Sequence, residues 1–102
     1  MSYPLVKIFR DEVKNFISKL PKESRQKFAI VTEALSDGCF KEVYVKQLKR
    51  EIKEVKIQNY RLLFFIHEDS IYFIRIFVKK SSKAPKREIE LAEKYYKLIT
   101  QK

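Results

Sequence analysis

Apolar residues recur along the chain at two different spacings, and the change of spacing marks out the elements. Val13, Phe16, Ile17 and Leu20 fall three and four positions apart, the stripe of an amphipathic helix, and Pro21 ends it. Phe28, Val31 and Leu35 repeat the pattern in a second helix, with Pro21 in its first turn. Asp37-Gly38 follows, and Gly38 is the only glycine in the chain. A lone glycine after a helical stripe is read as a C-terminal cap, where a left-handed residue costs glycine least. Ahead of the first helix, residues 4–9 (Pro-Leu-Val-Lys-Ile-Phe) read as a short edge strand, with its proline near the start.

Beyond Cys39 the spacing shortens. Residues 39–49 fit either a loop or a strand through Val43-Tyr44-Val45. The segments 50–57, 60–67 and 70–78 are rich in Ile, Val, Phe and Tyr, and only Gln58-Asn59 and Glu68-Asp69 separate them. Two-residue gaps between strand-like runs predict an antiparallel meander. Pro85 then opens a third helix, with Ile89, Ala92, Tyr96 and Ile99 on one side. The order expected is β-α-α-β-β-β-α, a single α+β domain over residues 1–102 with helices packed on an antiparallel sheet. Side chains alternate between the faces of a strand, yet both faces are apolar in 62–66 and 71–78. Either the protein's own helices cover both faces, or one is left for a partner.

Charge changes the picture. Lys and Arg number 23 against 13 Asp and Glu, a net charge of +10. Such an excess attracts polyanions, nucleic acid first and acidic membranes second. It is also clustered: from Ser70 to Arg87 there are six basic residues and no acid. One cysteine permits no intramolecular disulfide, and no run is long and apolar enough for a signal peptide or a membrane span. A cytoplasmic protein is expected.

Most site chemistries lack their residues here. One histidine, His67, and one cysteine cannot make a zinc site, and one glycine cannot make a glycine-rich phosphate loop. His67, at a strand end beside a turn, reads as an exposed hairpin residue. No metal or other cofactor is expected. What remains is a set of cations carried by the meander: Lys53 and Lys56 on its first strand, Arg61 on the second, Arg75 on the third, and Lys79 and Lys80 at its end. With strands about 5 Å apart, such groups can gather over one patch. Alternation admits only one of Lys79 and Lys80 unless the strand has already ended. Taken alone, the spacing favours an anion-binding patch over a catalytic one.

The series Glu54-Val55-Lys56, Tyr60-Arg61-Leu62-Leu63-Phe64-Phe65, Ile74-Arg75-Ile76-Phe77-Val78-Lys79-Lys80, Lys83-Ala84-Pro85 and Glu88-Ile89-Glu90-Leu91-Ala92 resembles the phage-derived, HigB-like branch of the RelE toxin superfamily, over residues 46–99. The resemblance implies the toxin of a type II toxin–antitoxin pair, which binds the ribosome and cuts mRNA. It also implies silencing by an antitoxin, often of helix-turn-helix type. By position it makes Lys56, Arg61 and Lys80 the catalytic residues. Lys53, Tyr60, Arg75, Lys79, Lys83, Lys86 and Arg87 are then expected to bind RNA. Where the family often has His-Gly before a phenylalanine, this chain has Arg75-Ile76. The alternatives are a gyrase-inhibiting toxin of the ParE type within the same superfamily, or a basic nucleic-acid-binding module. The apolar strand face and the last helix near Tyr95 and Tyr96 are the expected antitoxin contacts.

Overall fold

The structure is a computed structural model, and it describes residues 3–80 and 85–101. Strand β1 (Val6–Phe9) is followed by helices α1 (Asp11–Ser18) and α2 (Lys22–Ser36). A 3-10 turn at Phe40–Glu42 leads into strands β2 (Tyr44–Lys49), β3 (Ile52–Ile57), β4 (Tyr60–His67) and β5 (Ser70–Val78), and helix α3 (Lys86–Thr100) closes the chain. The sheet order is β1-β5-β4-β3-β2, antiparallel throughout except that β1 runs parallel to β5. The expected α+β class holds. The expected order is corrected at one point, because the ambiguous stretch before residue 50 supplies a fourth meander strand, β2.

Local chemistry sets the boundaries. Pro21 and Pro85 each sit one position before the first helical residue, and their carbonyls accept the first helical bonds from Arg25 (3.0 Å) and Glu88 (3.0 Å). Helix α2 ends at Gly38, whose φ is +79°. There the Gly38 N–H donates to Leu35 O (3.1 Å) and the Cys39 N–H to Ala34 O (2.9 Å), the paired bonds of a Schellman cap. The three hairpins turn on two residues each, and the first residue of every loop has positive φ: Arg50 (51°), Gln58 (55°) and Glu68 (56°).

Both faces of the sheet are covered by the chain itself. Helices α1 and α2 pack on one face over Val55, Ile57, Leu62, Phe64, Ile71 and Phe73. Helix α3 lies across β3, β4 and β5 on the other, over Ile52, Leu63, Phe65, Ile74 and Phe77. This double cover is why β4 is apolar on both sides. In β5 a bulge adds to the effect: Leu63 pairs with Arg75 but Phe64 with Phe73, so Ile74 is an extra residue and the faces swap there. Among the described residues no helix is long and apolar enough to cross a membrane.

Candidate functional site

Helix α3 leaves one end of its sheet face open. Cross-strand register puts Tyr44, Lys56, Arg61 and Phe77 in one row there, with Lys46, Glu54, Leu63 and Arg75 in the next. Directly paired residues share a face, so these side chains rise on the α3 side of the sheet. Tyr44, Val45, Lys46, Glu54, Lys56, Arg61 and Lys79 together line a depression of ≈ 400 Å³. Four of the seven are cations.

Arg61 is held in place. Its side chain is only 14% exposed, and Nη1 donates to the carbonyls of Tyr60 (2.9 Å) and Gln58 (3.3 Å) at the hairpin. Its Nε stands 3.8 Å from Glu54 Oε1, an ion pair too long for a hydrogen bond. Glu54 is itself buried at 5% exposure, and its Oε2 has no hydrogen-bond partner among the described residues. Lys56 is exposed, its Nζ lying 5.9 Å from the centre of the Tyr44 ring. Lys79 continues the β5 ladder through its N–H to Asn59 O (2.8 Å), which places it at the rim of the same depression. A fixed guanidinium flanked by three ammonium groups is suited to a phosphodiester backbone.

The structure thus unites Lys56 and Arg61 as expected, and corrects several other assignments. Lys80 is exposed but does not line the depression; Lys79 takes the place expected of it. Lys53 pairs with Phe64, and alternation puts it on the α1/α2 face, across the sheet from Lys56. The Tyr60 ring is spent on packing, edge-on to Phe16 (5.8 Å) and tilted against Phe28 (5.6 Å). Arg75 is clamped by Glu88 and Glu12, and the hydrogen bond to Glu88 raises its pKa further, against the opposing effect of burial. Lys86 and Arg87 are exposed in the first turn of α3, outside the depression's lining. Lys83 lies outside the described residues.

The surfaces expected to meet an antitoxin are in part used within the chain. Phe65 stacks with Tyr72 (5.0 Å) and meets Tyr96 edge-on (4.9 Å), and Arg10 lies over the Tyr95 ring at 3.6 Å. The apolar strand face and both tyrosines are therefore engaged within the chain. Four depression residues escaped the sequence reading: Tyr44, Val45, Lys46 and Glu54. The first three sit on the strand that was left ambiguous. Glu54 stands in a Lys-Glu-Val-Lys run that reads as a solvated face; only its parity with Ile52, on the α3 side, pointed inward.

Two solved structures share the fold. A chain of the RelB–RelE antitoxin–toxin complex from Methanococcus jannaschii superposes with a TM-score of 0.60 at 16% identity, covering 70% of this chain and 88% of that one. A chain of the archaeal RelE–RelB complex from Pyrococcus horikoshii OT3 gives 0.64 at 13% identity, covering 80% and 100%. Among curated protein sequences none matches. Residues 15–97 match a family profile that takes in the second half of α1, all of α2 and the meander, and most of α3, and the chain belongs to the phage derived protein Gp49-like family (DUF891).

Proposed function

We propose that this chain is the toxin of a type II toxin–antitoxin pair, HigB-like in kind, and that it cuts mRNA on the ribosome. The observation that carries the reading is the cationic depression, with Lys46, Lys56, Arg61 and Lys79 around it on the sheet face that α3 leaves open. Family membership and a fold shared with RelE chains solved beside their antitoxins support it. The partners are then the ribosome, mRNA and an antitoxin of helix-turn-helix type.

The reaction is attack of a ribose 2′-hydroxyl on the adjacent phosphorus. The O2′–P bond forms, the P–O5′ bond breaks, and a 2′,3′-cyclic phosphate and a 5′-hydroxyl result. Arg61, preset by the hairpin carbonyls, faces the charge that grows on the phosphoryl oxygens. The 2′-hydroxyl proton passes to solvent water as the O2′–P bond forms, and Lys56 or Lys79 supplies the proton for O5′. Lysine is a poor base at its ordinary pKa, with only about four in ten thousand neutral at pH 7. Much of the acceleration therefore comes from the ribosome holding the mRNA in line, and RNA in free solution is cut slowly or not at all.

A translation reaction with a defined mRNA tests this. Codon-registered cuts are expected with the wild type, and Arg61→Ala should lower the rate roughly 100- to 1000-fold. Lys56→Ala and Lys79→Ala, both of more exposed residues, should lower it less. Arg61→Lys keeps a cation beside Glu54 and guards against a folding artefact. Folded variants of Arg61, Lys56 and Lys79 that all cut at the wild-type rate would remove the site. Intact mRNA together with relaxed or broken DNA would favour the ParE-type gyrase reading instead.

A further inference from the structure

An anion-binding depression has no use for a buried carboxylate, which weakens the positive potential there. Yet Glu54 lines this one at 5% exposure, and among the described residues its Oε2 is unpaired and its nearest cation is Arg61, with Nε 3.8 Å from Oε1. Such groups in folded proteins almost always have a partner, so an orphan calls for a donor from outside. Beside it stands Tyr44, an aromatic ring 78% exposed on the edge strand β2. Register makes the two diagonal neighbours, because Tyr44 pairs with Lys56 and Lys46 with Glu54. Residues so placed lie roughly 7–8 Å apart on one face, within reach of an aromatic side chain.

An exposed aromatic plane, an acceptor-only group and a set of cations are the three parts needed to hold one nucleotide. The identity of the base follows from the acceptor. A carboxylate offers two oxygens and no donor. On its Watson–Crick edge guanine presents two adjacent donors, N1–H and the N2 amine. Adenine and cytosine each set a ring acceptor beside their amine, and uracil flanks its single N–H with two carbonyls. Only guanine can satisfy both oxygens of Glu54 without bringing a lone pair against one of them.

We infer that the depression is a guanine-selective nucleotide site: Glu54 takes the N1–H and N2–H donors, the base stacks on Tyr44, and Lys56, Arg61 and Lys79 hold the phosphate. Lys46 and Lys56, the exposed neighbours of Glu54 on this face, swing outward to admit the base. The inference rests on the proposed reading of the depression as an RNA site and gives that site a base preference.

The test is a titration of the intact protein with GMP, IMP, AMP, CMP and UMP at low salt, followed by nuclear magnetic resonance or intrinsic tyrosine fluorescence. GMP should bind about tenfold more tightly than AMP, CMP or UMP. IMP, which keeps N1–H and lacks the amine, should fall between, and that comparison needs no variant. Glu54→Gln, which lifts a negative charge from the site and so favours every nucleotide phosphate, should abolish the preference for GMP over AMP, whereas Tyr44→Ala should weaken all of them. Equal binding of the natural nucleotides, or a guanine preference that survives in folded Glu54→Gln, overturns the inference. Binding is read here without cleavage, so a guanine preference in a protein that never cuts mRNA would sink only the nuclease proposal. Cleavage without base preference would sink only this one.

Discussion

Replacing Arg75 with methionine separates two roles for that residue, because as an RNA ligand it would cost affinity and as a clamp it costs stability. The structure favours the clamp. Nε and Nη2 grip both oxygens of Glu88 at 2.6 and 3.2 Å, and Nη1 reaches Glu12 Oε2 at 2.9 Å. The Arg75 and Glu88 side chains are only 17% and 16% exposed, whereas Glu12 is 60% exposed. Removing one member of a buried ion pair strands the other and costs about 3–5 kcal/mol. Glu88 lies in the first turn of α3, where the helix dipole returns up to about 1 kcal/mol. We therefore expect Arg75→Met to lose roughly 2–4 kcal/mol. Glu12→Gln, at an exposed pair, should lose about 0–1 kcal/mol. The double variant Arg75→Met/Glu88→Gln should lose less than the sum of its parts, since no carboxylate is stranded. In urea unfolding the single change should move the midpoint by on the order of 1–2 M. The raised pKa of Arg75 means its contribution is complete below the ordinary arginine value and fades only as pH rises through the still higher folded one. The deficit of the variant should accordingly be the same at pH 7 and pH 10. An Arg75→Met protein as stable as the wild type but weaker on RNA would refute the clamp and return Arg75 to the anion site.

Gly38→Ala meets two obstacles: φ of +79°, and a new Cβ that would fall 2.8 Å from the Tyr3 ring. A loss of roughly 1–2 kcal/mol in thermal or urea unfolding is expected, with the ring turning aside to relieve the contact. Arg50→Gly works in the opposite sense, because it relieves a positive φ of 51° and leaves intact the carbonyl that accepts from Gln47. A gain of about 0.5–1 kcal/mol is expected, and a lower melting temperature would show that the turn is unstrained. Lys56→Ala and Lys53→Ala sit on opposite faces of β3, so only the former should weaken RNA binding and lower the salt slope by about one.

The elements legible in the sequence were those whose burial imposes a period. The ends of β3, β4 and β5 follow from two-residue gaps between apolar runs, and α1, α2 and α3 from their stripes. β2 stayed ambiguous because it is the outer strand: Tyr44, Lys46, Gln47 and Lys49 are exposed, and nothing in Tyr-Val-Lys-Gln-Leu-Lys repeats with conviction. With it went Tyr44 and Lys46, which reach the site only through register with β3.

The exchange of Lys80 for Lys79 has a sharper cause, and it turns on one residue. The hairpin through Glu68-Asp69 starts by pairing His67 with Ser70, Ile66 with Ile71 and Phe65 with Tyr72. Carried on unbroken, that register would set Arg61 opposite Ile76, and alternation would put Lys80, not Lys79, on the face of Arg61. The bulge at Ile74 inserts one residue, so Arg61 pairs with Phe77 and the parity of everything after it reverses. The same reversal turns Arg75 toward α3 and Glu88, away from the α1/α2 core. Ile71, Phe73, Ile74 and Ile76 are apolar on either register, so the one mark of the extra residue is Arg75, which an unbroken register would turn into the α1/α2 core. A bulge in a strand with two buried faces is nearly hidden from its own sequence, and here it decides which lysine lines the depression.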